Sequence, residues 1–381
     1  MSKTLNVYLV LGEESGDRLA ADLAPALVAK AKKAGFSIQF SGLAGSKMKQ
    51  QGMKSLFDIE DIAVMGITAV LARLPTIVRR VYQTVSDIVA ERPDVIVLID
   101  SPDFTHAVAK RVRKKMPNVP IINYICPSVW AWRSGRAKKM TAYIDHVLAI
   151  LPFEPKVLKQ LGGPNATYIG HPLAREVAAL PKRKDKPQDS SQKLLVLPGS
   201  RRGEIKRMLH LYGETLEVLE SRGVSFQPVM PAVPRLKEHL KQETANWPVK
   251  PEIVDSSDNA ESFAEARAAL ATSGTVALEL ALHRVPMVVA YRIDPLARML
   301  SNLITTWSAV LPNLILDRVL VPEEHNEMVI PERLARYLER LMADGPERAG
   351  QLKGFDELAK AMKTKQPPGE LAAEIILEQA T

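Results

Sequence analysis

Cysteine is all but missing from this sequence. Cys126 is the only one in 381 residues, which excludes an intramolecular disulfide framework and any cysteine-rich zinc site. A reducing compartment fits that count. Aromatic residues reach only 5%. A binder of single-stranded nucleic acid needs rings interleaved with Lys and Arg on its surface, so that class is disfavoured. Apolar runs are too short to span a bilayer. Residues 299–316 carry no charge, yet Asn302, Thr305, Thr306, Pro312 and Asn313 leave them short of a ~20-residue span. The first apolar run, residues 5–11, breaks into Gly-Glu-Glu with no small-residue cleavage site and does not read as a secretory signal.

Charge is plentiful. Lys and Arg total 51 against 43 acidic residues, a formal net charge of +8, with a pI near 9.4. This excess fits an anionic partner: nucleic acid, a phosphorylated substrate or an acidic membrane surface. At roughly 150 residues per domain, the length fits two domains, or three.

Short β-rich runs alternate with helical patterns. Residues 5–11, 38–43, 95–99, 121–125 and 147–151 read as strands. A helix from near Asp17 carries Leu19, Leu23 and Leu27 on one face; Pro25 should kink it and Gly35 end it. Ile77, Val81, Val85 and Val89 mark another amphipathic helix. Residues 180–192, polar with two prolines and two serines, read as a linker. The alternation restarts with strands at 194–197, 226–230, 268–271 and 287–290, and with helices from Glu204 and over 275–282. Beyond Pro331 the chain reads as helical, with a break at Gln366-Pro367-Pro368-Gly369. The pattern predicts an α/β protein: two similar-sized domains, each with a parallel sheet covered on both faces, and a cleft between them.

Such sheets bind ligands beyond the carboxyl ends of their strands, where several motifs stand. Gly12-Glu13-Glu14-Ser15-Gly16-Asp17 follows the first strand. It matches neither phosphate-loop pattern, GxxxxGK[ST] or GxGxxG, and its paired carboxylates would repel phosphate. It reads as a hydroxyl-binding turn, or as a plain turn capped by Ser15 or Asp17. Asp100, in Asp100-Ser101-Pro102-Asp103-Phe104, is either a general base facing the cleft or a helix cap. Trp130 and Trp132 crowd a strand end beside Arg133 and Arg136. They form a platform for a sugar or acyl group with a cation for phosphate, or else they fill the core. Cys126 reads as inert packing. Gly199-Ser200-Arg201-Arg202-Gly203-Glu204 suits a diphosphate, or is a polar turn with exposed arginines. Ser273-Gly274-Thr275, with Glu279 one helical turn on, suits phosphate and ribose, or caps a helix. His171 reads as structural or as a phosphate donor. Residues 64–80 mix apolar and cationic side chains, as a bilayer-docking segment or a solvated helix face does.

In this order, from Gly12 to about Glu323, these motifs resemble those of the lipid-A-disaccharide synthases, glycosyltransferase family 19. The resemblance rests on the Gly12–Asp17 turn, Met65-Gly66, Asp100–Phe104, Pro127-Ser128-Val129-Trp130-Ala131-Trp132-Arg133, Leu151-Pro152-Phe153-Glu154, Gly170-His171-Pro172, Leu197–Arg201, Ser273–Glu279 and Leu311-Pro312-Asn313. It implies the GT-B architecture: two Rossmann-like, doubly wound parallel-sheet domains facing a cleft, with C-terminal helices packing back on the first. The expected division is 1–179 (acceptor and membrane docking), 180–192 (linker), 193–345 (UDP-sugar binding) and 346–381 (helical tail).

The implied reaction is an inverting transfer without metal or cofactor. UDP-2,3-diacylglucosamine and 2,3-diacylglucosamine 1-phosphate would give a β-1,6-linked disaccharide 1-phosphate and UDP. The resemblance makes Asp100 the base, and Arg201 with Ser200 the diphosphate clamp. Ser273, Gly274 and Thr275 would hold phosphate and Glu279 ribose. Glu13 and Ser15 would line the acceptor or sugar side, and Trp132, Arg133, His171, Asn313 and Glu323 would make further substrate contacts. Met65, Ile67, Leu71, Arg73, Leu74, Ile77, Arg79 and Arg80 would dock on the cytoplasmic face of the inner membrane, and the Pro-Pro-Gly break would permit a tail-swapped homodimer. Nucleic acid is not an expected partner. The alternative is another GT-B UDP-sugar enzyme, a UDP-N-acetylglucosamine transferase or 2-epimerase. The family's V-P-E-[L/F]-[L/I]-Q run departs here to Val321-Pro322-Glu323-Glu324-His325-Asn326, and Glu14 stands where Ala is more usual.

Overall fold

A computed structural model describes residues 3–63, 67–180, 192–256, 259–294, 298 and 304–381. Met65, Gly66, the side chains of Ile67 and Leu71, and linker residues 181–191 lie outside the described residues. Two bodies divide the chain: Met1–Pro172 with Thr364–Thr381, and Leu173–Lys363.

The first body is a six-stranded sheet. Its strands are β1 (Lys3–Leu11), β2 (Phe36–Gly42), β3 (Val95–Ile99), β4 (Ile121–Tyr124), β5 (His146–Ala149) and β6 (Asn165–Tyr168), in the order β2-β1-β3-β4-β5-β6. Every pairing is parallel, which requires crossovers. α1 (Glu14–Lys33), α2 (Ser46–Gln50), α3 (Ile67–Glu91), α4 (Pro102–Lys115), α5 (Gly135–Met140) and α6 (Glu154–Gln160) lie in these connections. Helices on both faces explain why β3 is an unbroken apolar run, Val-Ile-Val-Leu-Ile, buried throughout. Pro25 sits inside α1, which remains a single helix and buries Ala20, Leu23, Ala24, Leu27 and Ala31.

The second body begins with α7 (Pro172–Ala178), most of which belongs to it. Then follow β7 (Lys193–Leu197), α8 (Arg202–Ser221), β8 (Gln227–Ala232), α9 (Pro234–Thr244), β9 (Glu252–Asp255), α10 (Asn259–Glu265), β10 (Ala266–Thr272), α11 (Thr275–Leu282), β11 (Met287–Tyr291) and β12 (Glu323–His325). Its parallel sheet has the order β12-β11-β10-β7-β8-β9, that of a dinucleotide-binding Rossmann sheet. Helices Pro331–Met342 and Pro346–Ala361 stay with this body. Only the last helix, Pro368–Ala380, joins the first, packing on α1 with Ala372, Ala373 and Ile376 fully buried and Lys30 Nζ 3.0 Å from Glu374.

Three strands escaped the sequence reading, β6, β9 and β12, and each is an edge strand. An edge strand of three or four residues has one neighbour and a partly solvated face, so it carries neither an apolar run nor a readable alternation.

Each sheet contains one pair of neighbours whose crossovers leave in opposite directions: β1 and β3 in the first, β7 and β10 in the second. A crevice opens there at the carboxyl ends of the strands, and most of the candidate residues lie at these two points.

Candidate active site

In the first body, the turn after β1 meets the turn after β3. Ser15 Oγ donates to Asp100 Oδ2 at 3.0 Å, across 85 residues of sequence. Asp100 Oδ1 accepts from the Ser101 N–H at 2.8 Å, and Thr105 Oγ1 donates to the Asp100 carbonyl at 3.0 Å. Asp100 and Ser101 have φ of 58° and 43°, two consecutive left-handed residues, neither of them glycine. Each such residue costs about 1–3 kcal/mol and marks a conformation the surroundings impose. Gly12 is needed because a Cβ there would come within 2.6 Å of the Ser101 Cβ and Oγ. Asp17 is fully buried and caps a different helix from its own: it accepts from the N–H groups of Gly45 (2.7 Å), Lys47 (2.6 Å) and Met48 (3.2 Å) at the start of α2. Glu13 is the N-cap residue of α1.

The two tryptophans part ways. Trp130 packs edge-on against Phe153, with centroids 5.2 Å apart, and donates its indole N–H to Glu154. Trp132 is 37% exposed, with the Arg133 guanidinium 4.2 Å and that of Arg136 5.8 Å from its ring centroid. Arg136 also bonds Asp103 at 2.9 Å, which ties this platform to the helix that begins beyond Asp100. Cys126 is buried, and burial pushes its thiol up, as inert packing requires. Burial lowers His171 to about 4, so it is neutral near pH 7 and offers no fixed positive charge.

In the second body, α8 opens at the carboxyl end of β7. Glu204 folds back over its first turn: Oε2 accepts from the N–H groups of Ser200 (3.2 Å) and Arg201 (3.3 Å), and Oε1 from Arg201 Nη1 (2.7 Å). Gly199, at φ 110°, leaves room for that carboxylate. Only the reach-back half of a capping box is made here, because a guanidinium cannot accept a hydrogen bond, and without Ser or Thr at the N-cap the sequence carried no signal of this fold-back. Arg201 remains 63% exposed.

At the end of β10, Ser273 Oγ donates to the Ala309 carbonyl (2.7 Å), while the Ala309 N–H donates to Glu323 Oε2 (3.0 Å). His325 Nε2 lies 3.0 Å from the same oxygen. One loop thus brings Ser273 and Glu323 together. Burial raises the Glu323 carboxyl, but hydrogen bonds from His325, Ser308 and the Ala309 N–H outweigh it and hold the group below its ordinary value. Asn313 is 0% exposed and bonds the Val321 carbonyl and the N–H groups of Leu320 and Val321. The expected ligand contact at Asn313 therefore gives way to a positioning role, because its amide is occupied by backbone. Gly274 (φ 156°) caps α11, and Thr275 is exposed at its first position. Burial, with Glu176 nearby, raises Glu279.

The divergent run is also explained. Glu324 is buried and bonded by Arg333 (3.0 Å) and Tyr337 (3.3 Å), and Asn326 Oδ1 accepts from the Ile293 N–H at 3.0 Å. On α3, Arg80 turns inward, bonding Asp61 (2.9 Å) and lying 4.6 Å from the Phe57 ring centroid, while Ile77 packs against the core. These two leave the exposed face expected of them. Leu74 (47%) and Val78 (44%) remain on it, beside Arg73 and Arg79. No described helix is long and apolar enough to cross a membrane.

Two parallel Rossmann-like sheets with these switch points define the GT-B fold. MurG of Acinetobacter baumannii shares it over 99% of both chains (TM-score 0.57, 13% identity). A UDP-GlcNAc 2-epimerase of Neisseria meningitidis bound to UDP-GlcNAc shares it over 93% of this chain and 99% of its own (TM-score 0.55, 13% identity). Sequence separates what the fold does not. The family model described as lipid-A-disaccharide synthetase matches residues 7–371. The lipid-A-disaccharide synthase of Nitrobacter winogradskyi is 45% identical over 98% of this chain and 95% of its own, and that of Rhodopseudomonas palustris 43% over 97% and 95%. The chain belongs to the lipid-A-disaccharide synthase family.

Proposed function

We propose that this chain transfers the 2,3-diacylglucosamine unit of UDP-2,3-diacylglucosamine to the 6-hydroxyl of 2,3-diacylglucosamine 1-phosphate, inverting the anomeric centre and releasing UDP. The Ser15–Asp100 hydrogen bond carries this reading. It fixes a carboxylate at a strand end, with a hydroxyl beside it in the place an acceptor hydroxyl would take. Asp100 takes the acceptor proton as the new C–O bond forms, and the diphosphate leaves with the electron pair of the old one. Arg201 and the α8 N-terminus stabilise that leaving charge, with Glu204 yielding its N–H contacts to the diphosphate. Thr275 contacts phosphate, Glu279 grips ribose and Glu323 faces the sugar. Trp132 and Arg133 receive the acceptor's sugar and phosphate.

Diacylated substrates reside in a bilayer, and the Leu74/Val78 stripe flanked by Arg73 and Arg79 docks the first body on an acidic one. Leu74→Glu with Val78→Glu is expected to lower partition onto anionic phospholipid vesicles about tenfold; unchanged partition removes this surface. A second copy is a further partner: the helix after Pro367-Pro368 would exchange between protomers. A light-scattering mass that is monomeric with and without residues 364–381 excludes the exchange.

The deciding experiment follows UDP release in detergent micelles, with and without the monosaccharide 1-phosphate. Acceptor-dependent release with a disaccharide product supports the synthase reading. Release without a disaccharide favours an epimerase-like enzyme.

A further inference from the structure

One acid of the first body takes no part in the chemistry above. Glu154 opens α6 and is 2% exposed. Its Oε2 accepts from the N–H groups of Ile150 (3.1 Å) and Leu151 (2.9 Å), and its Oε1 from the indole N–H of Trp130 (3.2 Å). Trp130 is thus held by its polar edge at Glu154 and by its ring at Phe153. The same short turn carries Trp132: the N–H groups of Ala131 and Trp132 both donate to the Ser128 carbonyl, at 3.0 and 3.1 Å. Arg133 follows in the left-handed region, at φ 51°. Moving the Trp130 ring therefore moves the residues that stand in solvent beyond it.

Resting on the acceptor reading above, we propose that Glu154 is a positioning residue: it holds the Trp130 indole from beneath, fixes the turn that presents Trp132, Arg133 and Arg136 to the acceptor, and loosens that grip when it takes up a proton. The geometry favours the ionised form, because three N–H donors converge on two oxygens that a carboxylate offers as acceptors only. Burial opposes ionisation and pushes the group up to about 7, against the pull of the Leu151, Trp130 and Ile150 donors. The ionisable groups that feel Glu154 are Cys126, beyond β4, and Tyr168, on β6. Burial raises the thiol, and it raises the phenol to about 12, so neither changes charge near neutrality. Of the three, only Glu154 is placed near neutrality.

Acceptor KM and kcat measured across about pH 6 to 8.5 test this. In the wild type, acceptor KM is expected to rise roughly fivefold as pH falls through the Glu154 transition, with kcat not following. Glu154→Gln, which keeps an acceptor oxygen but has no proton to gain, flattens that profile. So does Trp130→Phe, which keeps the ring against Phe153 and deletes the N–H, and which serves if the Gln variant does not fold. Tryptophan fluorescence gives a readout without turnover: a transition near pH 7 in the wild type, absent from both variants. A wild-type pH slope that survives in either variant overturns the proposal, as does a wild type with neither slope nor fluorescence transition. A fluorescence transition without turnover on any acceptor would count against the synthase reading and leave the grip on Trp130 standing.

Discussion

The two switch points solve opposite problems. At the first, Asp100 is gripped: its carboxylate is bonded by Ser15 and by the next peptide N–H, and its backbone is held left-handed. At the second, Arg201 is mostly in solvent and pairs with Glu204 in the first turn of the helix it caps. With its arginine side in solvent, such a pair contributes about 0–1 kcal/mol and holds the guanidinium only weakly in one place. A base must wait at one point for a proton, whereas a cation that neutralises a departing diphosphate benefits from following it. On the proposed reaction, rigidity would stand where geometry limits the step, and freedom where charge does.

The largest expected effect falls on the gripped side. Asp100→Ala should lower turnover about 10²–10⁴-fold with UDP affinity by calorimetry unchanged, and Asp100→Glu should do nearly as much damage, since a longer side chain cannot keep the Ser15 bond. Arg201→Ala should lower kcat about 10²–10³-fold and weaken UDP binding, but Arg201→Lys should recover part of the loss. A lysine variant as inactive as the alanine one would break the contrast. Gly12→Ala sharpens it: the new Cβ would press on Ser101, with an expected cost of about 1–3 kcal/mol in urea unfolding and a fall in turnover that UDP affinity does not share.

The smallest effect concerns Glu323, the second body's own held carboxylate. Its folded pKa lies below the ordinary value of 4.5, so its contribution to stability is complete above that value and is lost as pH falls through the folded one. Unfolding midpoints should therefore drop less steeply below pH 4.5 in Glu323→Gln than in the wild type. Parallel acid limbs would show that His325 and Ala309 do not hold it.

Much of this was legible in the sequence, and for physical reasons. β3 and α11 fall on the residues expected, since an all-apolar run ending at Asp100 and a Ser-Gly-Thr start leave little choice of boundary. Edge strands such as Glu323–His325 were not legible, because their only specification is the open edge of a neighbour. Motifs at strand ends located Ser15 and Asp100 separately, but their hydrogen bond depends on which strands become neighbours. The Glu154 contact with Trp130 had no local signal at all. Asn313 shows the reverse: the Leu-Pro-Asn resemblance implied a ligand contact, whereas the structure shows a buried amide bonded to the backbone of Leu320 and Val321.

The last helix has a consequence for how the protein is made. The first body opens with β1 and α1, yet α1 is covered by Pro368–Ala380. On the ribosome, all of Leu173–Lys363 has been synthesised before the segment that completes the opening domain emerges. Residues 368–380, made after the whole of the second body, thus take part in whether the sheet made first becomes fully folded. A proteolytic clip within residues 368–380 should injure the first sheet while sparing the second, which lies nearer to the clip in sequence.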